Sequence, residues 1–116
     1  MTSKQLGNLA EEKAKLYLIK DGYTIVIQNF YSRHGEIDII AKNDEYIVFV
    51  EVKYRKNSSF ASPIENVTPA KIRRIIKTAQ YYIYKNRLEN NNFRFDVIEV
   101  FGDNFETTHI PNAFWG

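Results

Sequence analysis

The run Tyr46-Ile47-Val48-Phe49-Val50-Glu51-Val52-Lys53-Tyr54 constrains this chain more than any other feature. Its β-branched and aromatic residues favour a strand. Side chains alternate across a strand, so Ile47, Phe49, Glu51 and Lys53 share one face, and Tyr46, Val48, Val50, Val52 and Tyr54 share the other. Both faces are apolar at the front of the run, which marks a central strand covered on both sides. Glu51 and Lys53 then place two charges on one face near its end. Burying an unpaired charge is costly, so a sequence rarely does it without a partner or a metal.

The flanking patterns give that strand a setting. Residues 3–21 read as a helix with Leu6, Ala10, Ala14, Tyr17 and Leu18 on one face, Ser3 or Thr2 as its cap and Gly22 as its stop. Strands are expected at Thr24–Phe30 and Glu36–Ala41, the latter joined to Tyr46–Tyr54 by a turn at Asn43-Asp44. Thr68-Pro69-Ala70 opens a second helix, with Thr68 as N-cap, Pro69 at the first helical position and the Asn90 cluster as its end. Its apolar face is Ile72, Ile75, Ile76, Ala79 and Ile83. Phe93–Val100 is a fourth strand, and Phe105–Ile110 a short fifth. The order α-β-β-β-α-β-β is that of an α/β domain, a mixed sheet with helices on one face or on both. Lys56–Pro63 reads as a mobile loop.

Length and composition close off several chemistries. A chain of 116 residues gives one domain with a proper core. With no cysteine, disulfides, zinc–thiolate sites, iron–sulfur clusters and cysteine nucleophiles are excluded. His34 and His109 are too few for a histidine-rich metal site. No secretory signal is visible, and no apolar stretch nears the roughly 18 residues that span a bilayer, so a reducing cytoplasm is expected. The net charge of +2 hides an asymmetry. Lys53 to Arg87 carries nine basic residues and one acid, a local +8, which leaves −6 for the rest. Such a split suits a basic surface for a polyanion, or simply a solvated helix face.

Asp38 stands among Ile37, Ile39 and Ile40, a second carboxylate in an apolar strand. In an antiparallel pair, Asp38 meets Glu51 and Lys53 on one face only if the connecting loop has an even number of residues. A two-residue Asn43-Asp44 turn pairing Lys42 with Glu45 satisfies this, placing Asp38 opposite Phe49 and diagonal to Glu51. Carboxylate oxygens suit Mg²⁺, and a lysine beside them can orient or deprotonate a water. Without metal, paired carboxylates repel and one tends to stay protonated. Gly35, just before Asp38, permits a close approach by a neighbour.

Gly35-Glu36-Ile37-Asp38-Ile39-Ile40-Ala41 and Val48-Phe49-Val50-Glu51-Val52-Lys53-Tyr54-Arg55 carry a resemblance, as do Gly7-x-x-Ala10-Glu11 and Arg94-Phe95-Asp96-Val97. From about Gly7 to Phe114 the chain resembles the YraN-like family of predicted endonucleases. That family looks like a branch of the PD-(D/E)XK, restriction-endonuclease-like superfamily, close to archaeal Holliday-junction resolvases. Ile37 stands where the superfamily's name has proline. The resemblance implies a restriction-endonuclease-like mixed sheet flanked by helices. It also implies hydrolysis of DNA phosphodiesters, of branched or otherwise structured DNA, dependent on Mg²⁺ or Mn²⁺. Asp38 and Glu51 would hold the metal, Lys53 would position the attacking water, and the resemblance adds Glu11 as an outer or direct ligand. Helix geometry supports Glu11 independently, since it lies at the edge of the apolar face whereas Glu12 faces water. Resolvases act as symmetric pairs, which brings in a homodimer.

Phosphate contacts are expected from Arg55 and Lys56, directly after the site, and from Lys71 and Arg74 on the second helix. Gln80 and His34 read as surface residues, Asp96 as a structural bridge, and Tyr81-Tyr82-Tyr84 as packing or a dimer face. A rival from another class is a nucleic-acid-binding module that keeps the nuclease fold without cutting.

Overall fold

A computed structural model of the protein describes residues 1–57 and 67–114. Residues 58–63 of the expected mobile loop lie outside the described residues. The order is α1 (Ser3–Lys20), β1 (Thr24–Ser32), β2 (Gly35–Lys42), β3 (Ile47–Arg55), α2 (Pro69–Lys85), β4 (Phe93–Phe101) and β5 (Glu106–Phe114). The strands form one sheet in the order β1-β2-β3-β4-β5. Neighbours are antiparallel except β3 and β4, which run parallel because α2 carries the chain across the sheet between them. The mixed α/β architecture expected from the sequence is the one observed.

Each helix covers its own face. Ala10, Ala14 and Leu18 of α1 pack on Ile39, Ala41, Val48, Val50, Ile98 and Val100. Ile75, Ala79 and Tyr82 of α2 pack with Ile37, Ile40, Phe49, Val67, Val97 and Phe114. The central strand β3 is therefore apolar on both sides, as its sequence requires. The buried stripe of α2 is Ile75, Thr78, Ala79 and Tyr82. Ile72, Ile76 and Ile83, expected at its centre, are half-buried at its margins.

Local chemistry sets the ends. Thr2 and Gln5 form a reciprocal capping box on α1, and the Thr68 hydroxyl accepts the Lys71 N–H at the start of α2. Helix α2 stops at Lys85, before the Asn90 cluster: Asn86 is its C-cap and Arg87 turns left-handed at φ 55°. Strand β5 runs four residues past the expected Ile110, to Phe114. Its register shifts opposite Phe95 and Val97, so a bulge at Asn112 (φ 53°) lets pairing resume.

Gly35 marks the close approach its sequence position suggested, and the partner is α2. Its φ is +151°, and an added Cβ would stand 3.2 Å from the Arg74 Cβ. Gly35→Ala is expected to lower stability by about 1–2 kcal/mol, read as the shift in a thermal or urea unfolding midpoint. An unchanged midpoint would show that the hairpin relaxes away from the helix at no cost.

Candidate active site

The geometry is set by the β2–β3 hairpin, whose register differs from the one the sequence suggested. Lys42 pairs with Ile47, not Glu45, so the connection has four residues. The Asn43 side chain explains the longer loop, since its Oδ1 accepts the N–H groups of Glu45 (2.9 Å) and Tyr46 (2.7 Å). The slip is two residues, so the parity that decides the face is unchanged. Ile39 pairs with Val50, and continuing that register brings Asp38 level with Glu51 instead of Phe49.

The ladder opens at this level, and the Asp38 carboxylate fills the opening. Its Oδ2 accepts the Val52 N–H at 2.8 Å. Glu51 is 2% exposed, and both its oxygens are buried without an aligned hydrogen bond. The Lys71 ammonium lies 2.9 Å from Glu51 Oε2, a contact made by charge and not by an aligned donor. Burial, and then the adjacent Glu51, push the Asp38 carboxyl up to about 9. The shift favours the protonated form of Asp38. Burial alone would lower Lys71, but attraction to Glu51, and further off to Asp38 and Glu36, holds it above the ordinary lysine value.

Helix α1 brings Glu11 near Glu36 and Asn29. Burial and the nearby Glu36 raise its carboxyl, Asn29 partly offsets this, and the charges of Glu51 and Lys71 also reach it. Asn29 holds a left-handed backbone at φ 54°, opposite Asp38 in the β1–β2 register. Lys53 is half-buried on the Glu51 face, level with Glu99 of β4. It makes no hydrogen bond or ion pair among the described residues. The structure thus draws Asp38, Glu51 and Lys71 together, with Lys53 one step along β3, and among the described residues Glu11 does not close a three-carboxylate cluster with them.

The other expected phosphate ligands are dispersed. Arg55 faces Glu99, with Nε 3.0 Å from Oε2 and Nη2 3.0 Å from Oε1, and its guanidinium lies over the Phe101 ring. Lys56 is exposed beside Leu6 and Tyr54, near the start of α1. Arg74 is exposed on α2 against Gly35. Gln80 is exposed, and His34 sits at the tip of the β1–β2 hairpin. Asp96 lies on the opposite face, in a structural network with Arg94 and His109. Tyr82 is core, whereas Tyr81 and Tyr84 are exposed.

One buried carboxylate beside β3 is absent from the sequence reading. Glu99 is buried at 4%. Its signal was present, a glutamate in an apolar strand, but its relevance needed β4 beside β3. Lys71, expected at phosphate, also approaches Glu51, and that contact depends on how α2 crosses the sheet.

The donors suit a hard cation. Among the described residues no cluster of three or more His, Cys, Asp or Glu side chains is close enough to hold a metal. Two carboxylates are present instead, Asp38 and Glu51, with the Lys71 ammonium paired to Glu51. Mg²⁺ binds through one or two carboxylates and keeps several waters, so this pair fits it. Asp38 and Glu51 would hold the ion, with Glu11 at its edge.

Comparison with known proteins places the chain among relatives. The family model described as "Uncharacterised protein family UPF0102" matches residues 10–100. The chain is 47% identical over 116 residues to a UPF0102 protein of Clostridium acetobutylicum, covering 97% of this chain and 95% of that one. It is 50% identical to a UPF0102 protein of Clostridium tetani, with 97% and 95% covered. A UPF0102 protein of Vibrio parahaemolyticus is 46% identical over 113 residues, with 97% and 93% covered. A match over most of the chain at this identity makes it a member of the UPF0102 family.

Proposed function

We propose that this protein is a metal-dependent endonuclease of the PD-(D/E)XK type, acting on DNA phosphodiesters in branched or otherwise structured DNA. One observation carries the reading: Asp38 and Glu51 are buried side by side, with the half-exposed Lys71 ammonium 2.9 Å from Glu51 Oε2 as their neighbouring cation. A stable core has no use for two adjacent buried carboxylates, whereas a cation site does.

Mg²⁺, when bound, supplies acidity to water and neutralises charge at a phosphodiester. Asp38 and Glu51 would provide the hard oxygen ligands, with the Asp38 proton released to solvent. Lys53 orients the attacking water or takes its proton. Lys71, released from Glu51, turns to a phosphate oxygen near the first turn of α2, whose free N–H groups favour the same anion. Glu11 would assist as an outer or direct ligand.

The Lys71–Glu51 ion pair favours one rival, a binding module in which the charges satisfy one another. Labelled linear, flap and four-way DNA, incubated with Mn²⁺ or with EDTA, separates the two. The nuclease cuts only with Mn²⁺, and Lys53→Ala lowers the rate by roughly 10²-fold. Binding that weakens steeply with salt but never leads to cutting supports the module. Cleavage retained in full by Lys53→Ala comes from a contaminant.

A further inference from the structure

The β1–β2 pair changes face at one level, and that level holds Asp38. Residues two apart along a strand ordinarily share a face. Ile27 and its partner Ile40 pack with the α2 cluster, and Ile39, the partner of Gln28, packs with the α1 cluster. Alternation would put Ile37 with Ile39 and Phe30 with Gln28. Ile37 and Phe30 instead lie with the α2 cluster. Other contacts hold the outer half of the pair on α2. The Phe30 and Tyr82 rings meet edge to face, centroids 5.2 Å apart, the Ser32 hydroxyl donates to Thr78 Oγ1 at 3.2 Å, and Gly35 abuts Arg74. Pairing runs without a slip from Gln28 with Ile39 to Phe30 with Ile37, so no extra residue accounts for the change.

Between those two pairs stand Asn29 and Asp38. Asn29 holds φ 54°, in the left-handed region, within an otherwise extended strand. A left-handed residue interrupts the pleat and re-aims the side chains around it. Asparagine enters this region more readily than most side chains, and β-branched residues scarcely do. Such a backbone persists only where its surroundings hold it, and it gathers at functional sites. On the partner strand the change falls on Asp38. The β2–β3 ladder stops at Ile39 with Val50. Beyond that point the Asp38 carboxylate accepts the Val52 N–H at 2.8 Å, which holds it against the peptide that follows Glu51. Asp38 is 7% exposed there. A second asparagine of the same conformation, Asn112 (φ 53°), lies at the β4–β5 bulge beside Asp96, on the other face of the sheet.

We propose that Asn29 is a positioning residue of the candidate active site: its left-handed backbone turns over the outer half of the β1–β2 pair and so aims the Asp38 carboxylate at Glu51. Asn29 acts through Asp38 and itself holds neither metal nor substrate. The inference rests on the nuclease reading for the purpose of this placement, a metal ligand set, and not for the placement itself.

The test compares three variants. Asn29→Val resists the left-handed region, Asn29→Gly accepts it without a side chain, and Asn112→Val places the same strain away from the site. Two quantities are read: Mn²⁺ affinity, by calorimetry with the metal alone, and amide hydrogen exchange, by NMR in EDTA. Asn29→Val is expected to weaken Mn²⁺ binding roughly tenfold. It also raises exchange at Val52, relative to Ile98 in β4, by roughly tenfold. Taking the ratio removes any change in global stability. Asn29→Gly stays within about threefold of wild type in both readouts. Asn112→Val melts lower, as Asn29→Val does, yet alters neither Mn²⁺ affinity nor the exchange ratio. If Asn29→Val does not fold, Asn29→Ala takes its place with the same expected direction. An unchanged Val52 ratio in the Val or Ala variant overturns the proposal. So does Asn29→Gly behaving like Asn29→Val, which would assign the effect to the side chain instead of the backbone. A wild type that binds no Mn²⁺ ends the nuclease reading, and the Val52 ratio then decides by itself whether Asn29 positions Asp38.

Discussion

Glu51→Gln is expected to reduce Mn²⁺-dependent cleavage by roughly 10³-fold or more, about 4 kcal/mol of transition-state stabilisation, without destabilising the fold in EDTA. Glutamine keeps the shape but offers a neutral oxygen, a poor ligand for a hard cation. Without metal, the wild-type protein holds two carboxylates side by side in a buried place, and burial together with Glu51 drives Asp38 up. The substitution removes that repulsion. It also frees Lys71, whose side chain is 39% exposed and can rehydrate. Functional sites commonly carry such local destabilisation. Melting in EDTA and in Mg²⁺ checks both halves. At roughly 100 times Kd, Mg²⁺ adds about 2.7 kcal/mol to the wild type, on the order of 10 °C for a chain of this size. The variant shows no such gain. Were Glu51→Gln to melt lower by the same amount in both buffers, Glu51 would be a structural ion-pair partner and the metal reading would fall.

Asp96→Ala is expected to cost about 3–5 kcal/mol of stability and to lower the melting temperature by more than roughly 10 °C. Asp96 is fully buried at the β4–β5 register shift. Its Oδ1 accepts Arg94 Nε–H and the Asn112 N–H, both at 2.9 Å, and its Oδ2 accepts Arg94 Nη2–H at 2.8 Å. His109 Nε2 lies 2.6 Å from Oδ2, while the Tyr17 hydroxyl meets its Nδ1 at 3.3 Å. Nε2–H donating and Nδ1 accepting is the tautomer that satisfies both contacts. Arg94 also donates to the Tyr23 hydroxyl. Removing the carboxylate orphans all of these groups on the α1 face, away from the candidate site.

The same network predicts an acid limb. Burial would raise the Asp96 carboxyl, but its bonds to His109, Arg94 and the Asn112 N–H outweigh this and hold it below the ordinary 3.8. A depressed folded-state value contributes stability above the unfolded value, and that stability is lost as pH falls through the folded one. Wild type should therefore lose this contribution progressively below about pH 4, and Asp96→Asn should show a flatter dependence there. Urea midpoints at a series of pH values test this. Parallel acid limbs in the two proteins would remove Asp96 from the account.

Much of this molecule is written locally. The capping residues Thr2 and Thr68, the alternation of Ile47 to Lys53 and the pause at Gly22 place the elements, because backbone sterics and side-chain periodicity act within a few residues. The shared face of Asp38 and Glu51 was legible for the same reason: parity survives any even slip of register. The slip itself was not legible, because Asn43 had to choose between a tight turn and a side-chain cap, and the pairing of β2 with β3 made that choice. Asp96 shows the same division, since its apolar strand was plain but its partners Arg94, His109 and Asn112 meet only after β5 folds back over a bulge. Sequence alone determined the elements, their order and the two buried carboxylates. Tertiary structure decided which helix covers which face, brought Lys71 to Glu51 and set Phe30 against Tyr81. Those contacts join segments far apart in the chain, and their geometry depends on the packing of the whole sheet.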